Sequence, residues 1–129
     1  MKPQAPLVLA CLSLAACQTT APAPSVSGER PGTTDAAHAL YTSLTDRVKA
    51  CWFSGDATFA NYAYTAEIVA DAPRILLVPK NDRDGRPVLV VEPTGSSSAS
   101  VYGPLLASPA GARAKADLDR WMAGGTGCA

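Results

Sequence analysis

Few residues in this chain could carry reactive chemistry. Its 129 residues include four cysteines and one histidine, His38. Nucleophilic catalysis needs a base within hydrogen-bond reach of a Ser, Cys or Thr, and His38 falls in the first turn of a predicted helix. The serine-rich stretch at residues 95–98 lacks the second glycine of a nucleophile elbow. The sequence therefore predicts no catalytic residue and a protein that is not an enzyme.

Metal and nucleic-acid binding are not favoured either. The carboxylates Asp82, Asp84 and Glu92 lie close together in the sequence. A calcium loop with Gly85 at its sixth position, however, would place Lys80 at the first, where the cation needs an Asp. The net charge of +0, from 11 Lys+Arg and 11 Asp+Glu, excludes the broad basic surface of a nucleic-acid binder. We expect no metal, no cofactor and no nucleic-acid partner.

The first residues have the pattern of an export signal. Met1 and Lys2 precede an apolar run at residues 5–16 that only Ser13 interrupts. A dozen apolar residues are too few for a helix to span a bilayer core of about 30 Å. Small residues end the run, as they do in a secretory signal.

The run ends in Leu14-Ala15-Ala16-Cys17, which resembles the lipobox of bacterial lipoproteins. The resemblance covers only this motif and the run before it. It implies that residues 1–16 are a signal peptide and that Cys17 becomes the lipidated first residue, with a diacylglyceryl thiol and an acylated amino terminus. Such chains, palmitate among them, would anchor the protein to a membrane, since each buried CH₂ contributes about 0.8 kcal/mol.

Two alternatives to this lipidation site stay open. Val8-Leu9-Ala10-Cys11 is a second near-match, and an ordinary signal peptide cut after Ala16 would leave Cys17 as a free thiol. Gln18 follows the cysteine, and in enterobacterial lipoproteins a residue other than Asp there implies sorting to the outer membrane. We expect the periplasmic face of the outer membrane, with inner-membrane retention and surface exposure as alternatives.

Removal of the signal and lipidation of Cys17 leave two cysteines, Cys51 and Cys128. Disulfides persist in an oxidising compartment, and two cysteines allow one intramolecular pairing. They form no C-x-x-C motif, which argues against a redox pair or a metal site. We predict a structural disulfide between the end of the first helix and the last residues of the sequence.

A flexible linker and a small domain follow the signal. Residues 17–34 are rich in Pro, Gly and Thr and hold almost no large apolar side chain, so they cannot bury enough surface to offset ordering. The predicted domain comprises residues 35–129. The linker is long enough to hold this domain clear of the lipid head groups.

Two amphipathic helices are predicted in the domain. The first has Thr34 or Asp35 as its cap and runs to about Trp52. Its apolar face repeats every four residues, at Leu40, Leu44 and Val48. The second begins at Ser108-Pro109, an N-cap followed by a proline at the first helical position. Asp117 is expected on the solvent-facing side of this helix.

Between the helices the period of apolar residues changes to two, which is typical of half-buried strands. The predicted strands are residues 62–70, 74–78 and 88–91. A turn at 71–73 and a hairpin loop at 81–85 connect them, and residues 95–100 are predicted to be a polar loop. The order α-β-β-β-α indicates a two-layer α+β domain with a three-stranded antiparallel sheet.

Two groups of residues are candidates for contact with a partner. Five aromatic residues cluster around the helix–strand connection: Trp52, Phe53, Phe59, Tyr62 and Tyr64. Most of them are expected in the core, but Phe53 or Phe59 exposed on a loop would be an interface anchor. The second group is the mixed-charge hairpin loop, which contains Lys80, Arg83 and Arg86.

These features predict a lipid-anchored, non-catalytic module that binds or supports another protein of the bacterial envelope. The alternative is an inhibitor of a hydrolase such as lysozyme, in which the loop at residues 80–86 would enter an active-site cleft. A cell-envelope enzyme is a third hypothesis, but the sequence spacing brings no two polar groups together in a pocket. The membrane, through the lipid, and an envelope protein are the expected partners.

Overall fold

A computed structural model describes residues 31–82 and 85–129, with side chains from Thr34 onward. The predicted signal peptide, Cys17, most of the predicted linker and Arg83 lie outside these residues. The main elements are α1 (Pro31–Trp52), β1 (Tyr62–Val69), β2 (Ala72–Pro79), β3 (Leu89–Pro93), β4 (Ala99–Tyr102) and α2 (Pro109–Met122). Single turns of 3₁₀ helix occupy Ala57–Phe59 and Pro104–Ala107. The predicted α+β class is confirmed.

The sheet has four antiparallel strands in the order β1-β2-β3-β4, where the sequence predicted three. The missed strand, β4, begins in the stretch predicted to be a polar loop. Val101 pairs with Val91, Ser100 pairs with Glu92, and the Thr94 N–H donates to the Ser98 carbonyl at 2.8 Å. A four-residue strand with a serine in it carries too little alternation to be recognised, so its pairing with β3 decides its conformation.

The β1–β2 hairpin turns at Ala70 and Asp71, earlier than the predicted turn at residues 71–73. Both residues have positive φ, 50° and 63°, as a two-residue type I′ turn requires. β2 therefore begins at Ala72 and includes Pro73. Pro73 fits because its nitrogen is directed away from β1, and the pairing of β2 with β3 begins only at Ile75.

Both helices pack on one face of the sheet. This face takes alternate residues of the two central strands: Ile75, Leu77, Leu89 and Val91, all fully buried. Apolar residues of the helices complete the same core: Leu40, Leu44, Val48, Trp52, Ala114, Leu118 and Trp121. The core therefore lies between one sheet face and the helix layer.

Both helices begin at a proline. α2 starts at Pro109 after Ser108, whose Oγ accepts a hydrogen bond from the Gly111 N–H at 3.2 Å, as the sequence predicted. α1 starts at Pro31, before the predicted cap Thr34, and takes in the last residues of the stretch predicted to be linker. Proline lacks an N–H that the first turn would leave unpaired, so it fits this position. Neither helix in the described ranges is both long and apolar enough to cross a membrane.

Candidate functional site

Asp117 of α2 is fully buried, so the prediction that it faces solvent is wrong. Its Oδ2 accepts a hydrogen bond from Trp52 Nε1–H at 2.9 Å, and its Oδ1 accepts one from the Ala129 N–H at 2.6 Å. Two guanidinium groups lie beside it, Arg120 Nη1 at 3.4 Å from Oδ1 and Arg113 Nε at 3.8 Å from Oδ2. Both oxygens and the charge are therefore compensated, as a buried carboxylate requires.

The sequence did contain a signal for this burial. Residues three and four apart are neighbours on a helix surface, and Asp117 is three residues after Ala114 and four before Trp121, both of which are buried. Asp117 thus borders the apolar face of α2. Arg113 and Arg120, four residues before and three after, are placed by the same rule to compensate its charge.

Cys51 and Cys128 form the predicted disulfide, with their Cα atoms 5.4 Å apart. Trp121 Nε1–H also donates to the Gly127 carbonyl at 2.7 Å, so the segment after α2 is bound at several points. A cleft of about 480 Å³ lies between α1 and this segment, lined by Ser43, Asp46, Arg47, Ala50, Cys51, Gly127 and Cys128. The disulfide fixes to α1 the same segment whose Ala129 N–H bonds to Asp117, so we assign the disulfide a structural role.

Asp56 connects the end of α1 to α2. Its Oδ1 accepts a hydrogen bond from the Thr58 N–H at 2.8 Å, and its Oδ2 pairs with Arg113 Nη2 at 2.7 Å. The hydrogen bonds from Thr58, and then the positive charge of Arg113, hold the pKa of Asp56 below its usual value of 3.8. A carboxyl group with a lowered pKa is ionised at neutral pH, which makes it unsuited to act as a general acid there.

His38 is half-buried on α1. Its Nε2 is buried and has no hydrogen-bond partner among residues 31–82 and 85–129. In the same part of the chain, no three His, Cys, Asp or Glu side chains are grouped so that they could hold a metal ion. Among the described residues, no group therefore lies within hydrogen-bond distance of the buried His38 Nε2.

The two aromatic contact candidates differ in burial. Phe59 is fully buried, which confirms the expected core position and makes the alternative of an exposed interface anchor wrong for this residue. It stacks on Trp52 with ring centroids 4.7 Å apart. Phe53 is half-buried and packs on Tyr64 with centroids 4.9 Å apart. The cluster belongs mainly to the core, because the turn at Ala57–Phe59 directs Phe59 inward against the end of α1.

The charged loop after β2 is described in part. Lys80 Nζ donates to the Ala60 carbonyl at 2.8 Å, which holds its ammonium group against the start of β1. Arg86 is exposed, and Arg83 lies outside the described residues. Lys80 is therefore directed toward the body of the domain and not outward from the loop.

The sheet face opposite the helices, here called the outer face, is covered by no helix among the described residues. Strand register places on it Ala63, Thr65, Glu67, Arg74, Leu76, Val78, Val90, Glu92 and Tyr102. Leu76 and Val90 face each other near its centre, where Leu76 is half-buried and Val90 retains 8% of its accessible surface. Arg74 forms an ion pair with Glu67 at 2.5 Å, and Tyr102 O–H donates to Glu92 Oε1 at 2.9 Å. An apolar centre with a polar margin is the usual anatomy of a protein interface.

The bond between Tyr102 and Glu92 also affects titration. It favours the protonated phenol and raises the pKa of Tyr102 above 10.0. Tyr102 is nevertheless 48% exposed, so its ring is accessible on the outer face. An aromatic ring fixed by its own hydroxyl can contact a partner at low entropic cost.

Every large apolar side chain exposed in the described ranges lies on a strand. Ile68 is 54% exposed and Val69 48% exposed, and both are at the turn end of β1. Tyr102 on β4 is the third. Ile68 lies on the helix side of the sheet, whereas Val69 and Tyr102 lie on the outer face at opposite edges, so the three residues do not form one patch.

β1 is also an edge strand. The Lys80 N–H donates to the Asn61 carbonyl at 2.9 Å, so by alternation the odd-numbered residues of β1 carry its bonds to β2. The N–H and C=O groups of Tyr62, Tyr64, Ala66 and Ile68 point the other way. Within the described part of the chain, no strand pairs with them. They form a free row of donors and acceptors.

Comparisons of the chain with protein-family models, with curated proteins and with solved structures give no match.

Proposed function

We propose that this chain is a lipid-anchored, non-catalytic protein of the bacterial envelope that binds another envelope protein through the outer face of its sheet. The observation that carries the proposal is the composition of the two central strands. β2 and β3 have apolar side chains on both faces, whereas helices cover one face. The lipid at Cys17 and the linker after it would hold the domain near the periplasmic face of the outer membrane.

The apolar runs of β2 and β3 support a covered outer face. Ile75 and Leu77 enter the core while Leu76 between them faces outward, and Val90 does the same between Leu89 and Val91. A continuous apolar run is typical of a strand that is covered on both faces, whereas a strand with one wet face alternates with polar residues. A partner on the outer face would supply the second cover.

The rim of the outer face indicates what the partner offers. Glu67, Arg74 and Glu92 are already compensated, by one another or by Tyr102. The ion pair leaves neither Glu67 nor Arg74 as an unpaired charge, although the Arg74 Nε–H is buried and has no hydrogen-bond partner among the described residues. The matching surface is therefore an apolar protein patch with few charges at its centre.

The polar groups on the helix side support a binding role over a catalytic one. Asp56, Arg113, Asp117 and Arg120 are bonded to one another or to the backbone. Breaking these contacts to act on a substrate would leave buried charge uncompensated. Their arrangement is that of a support for the sheet.

Site-specific photo-crosslinking in living cells tests the binding surface. A photo-reactive amino acid replaces Tyr102 on the outer face or, as the matched control, Ala116, which is exposed on α2. We expect a discrete adduct with one envelope protein from position 102 and none from position 116. Equal adduct patterns, or an adduct from position 116 alone, would remove the outer face from the account.

The lipid anchor has its own test. Cys17→Ser should abolish acylation, detected by mass spectrometry of the N-terminal peptide, and release the protein from membranes. Cys11→Ser is the control, because Cys11 belongs to the near-match inside the predicted signal, and it should leave acylation intact. Loss of acylation in Cys11→Ser but not in Cys17→Ser would assign the lipid to Cys11. Acylation of both variants would show that neither cysteine is the lipidation site.

The hydrolase-inhibitor alternative depends on the loop at residues 80–86. The same photo-reactive probe at Arg86, with a lysozyme panel added to the purified protein, tests it. An adduct with the added hydrolase together with inhibition would replace the envelope-partner proposal.

A further inference from the structure

We infer that two copies of this chain associate through antiparallel pairing of their β1 strands, which joins two four-stranded sheets into one continuous sheet. The inference goes beyond the proposed function and does not rest on it, because it uses the edge of the sheet and not the outer face. The occupant of that edge is a second copy of the same strand.

The β1 edge lacks the features that keep edge strands apart. Natural edges are protected by lysines, prolines, bulges or short length. β1 is eight residues long, pairs with β2 without a bulge and contains no Lys, Arg or Pro. Its one charge, Glu67, is engaged by Arg74 on the outer face. The opposite edge, β4, has four residues.

There is room beside β1 for a second strand. α1 contacts β2 and β3, which places the helix layer over the centre of the sheet. On the helix side of β1, Ala66 and Ile68 are exposed, and Ile68 retains 54% of its accessible surface. A strand added at this edge would cover these side chains.

One register makes the β1 edge complementary to itself. The free backbone groups belong to even-numbered residues, so an antiparallel partner must pair even with even. With a two-fold axis at Thr65, Tyr62 faces Ile68 of the second copy and Tyr64 faces Ala66. The pair of Tyr62 and Ile68 occurs on both sides of the axis, and in each an aromatic ring covers an exposed β-branched side chain. Aromatic and β-branched residues form a favoured cross-strand pair.

The charges agree with this register. Glu67 faces Ala63 of the second copy on the outer face, and Thr65 faces itself, so no like charges are opposed. The two helix layers lie on the same side, and the two outer faces form one surface. The contact is isologous and uses each β1 once, which closes the assembly at two copies.

A cysteine at the axis tests the register directly. Thr65 pairs with itself as a non-hydrogen-bonded pair, the arrangement in which side chains approach most closely. Thr65→Cys in the full chain, exported in cells, should therefore yield a species of twice the monomer mass on a non-reducing gel. Ser100→Cys is the matched control, since Ser100 is exposed, on the outer face and on the opposite edge strand. It should remain at monomer mass.

Proline variants test the edge without a crosslink. Ala66→Pro removes an N–H that is free within one copy, so the fold should tolerate it, whereas pairing with a second copy loses a hydrogen bond and meets a steric block. Ala99→Pro removes the corresponding free N–H on β4. Light scattering on the full chain in detergent should show a twofold fall in protein mass for Ala66→Pro and no change for Ala99→Pro.

The outcomes separate the occupants of the edge. A monomeric wild-type protein, or equal crosslinking of Thr65→Cys and Ser100→Cys, overturns the inference. A mixed disulfide of Thr65→Cys with a different protein also overturns it and assigns the edge to that protein. If Ala66→Pro fails to fold by circular dichroism, the cysteine pair alone decides. None of these outcomes depends on what binds the outer face.

Discussion

The region around Asp117 and the β1–β2 hairpin differ in how completely their groups are bonded. Around Asp117, the buried carboxylate and two indole N–H groups form hydrogen bonds, and a disulfide links the neighbouring segments. At the hairpin, two large apolar side chains are exposed and the edge of β1 pairs with no other described strand. Both regions belong to a small domain with one core. The first holds the helix layer to the last residues of the chain. The second exposes apolar side chains and backbone groups that no other strand of the described residues pairs with. The contrast separates the part that supports the fold from the part available for binding.

The largest effect is expected at Asp117. Asp117→Ala leaves the Trp52 N–H, the Ala129 N–H and the Arg120 guanidinium without their acceptor. Removing one partner of a buried charged network costs about 3–5 kcal/mol. Urea unfolding measures this loss in the free energy of unfolding. The matched control is Asp119→Ala on the same helix, whose exposed ion pair with Lys115 contributes less than about 1 kcal/mol. Equal losses for the two variants would contradict the role assigned to Asp117.

The disulfide gives the next largest effect. Cys128→Ser removes a crosslink between residues 77 positions apart, and loss of such a link costs about 2–4 kcal/mol of unfolding free energy. Cys51→Ser and the double variant should show the same loss as Cys128→Ser, since one bond is broken in each. If the double variant lost the sum of the two single losses, the cysteines would act separately.

Asp56 makes the supporting region sensitive to acid. Its pKa is lowered in the folded protein, so its contribution to stability is fully present above the usual value and is lost as the pH falls through the folded pKa. Asp56→Asn should therefore be less stable than the wild type at neutral pH, and the difference should shrink below about pH 4. Unfolding curves between neutral and acidic pH check this. A difference that is constant with pH would show that ionisation of Asp56 does not contribute.

The smallest effect is expected at the hairpin turn. Ala70 has φ of 50°, a left-handed conformation that costs a residue with a Cβ about 1–2 kcal/mol. Asn tolerates this conformation better and is preferred in type I′ turns, so Ala70→Asn should raise the unfolding free energy by about 0.5–1 kcal/mol. Ala60→Asn is the control, since Ala60 has an ordinary φ of −57°. A gain at both positions would exclude relief of strain as the cause.

The helices and the disulfide could be predicted because each depends on a local or compositional signal. The four-residue spacing from Leu40 to Val48 and the Ser108-Pro109 cap specify helices by themselves. Elimination of two cysteines left one pairing for Cys51 and Cys128. These signals can be recognised in the sequence without knowledge of the tertiary structure.

The missed features depend on contacts distant in sequence. β4 becomes a strand because it pairs with β3, and Asp117 is buried because Trp52 and Ala129 supply donors to it. The outer face was not predicted either. The run from Ile75 to Val78 is apolar at every position, so the sequence does not say which face of this strand the helices cover.

Cysteine accessibility in intact cells tests most directly whether the outer face is the binding surface. Tyr102→Cys on that face and Ala116→Cys on α2 should react equally fast with a maleimide in the purified protein, since both positions are exposed. In the envelope, a bound partner should slow labelling of Tyr102→Cys several-fold and leave Ala116→Cys unchanged. Labelling of both cysteines at the purified-protein rate in cells would contradict the account, because the outer face would then be uncovered where the protein acts.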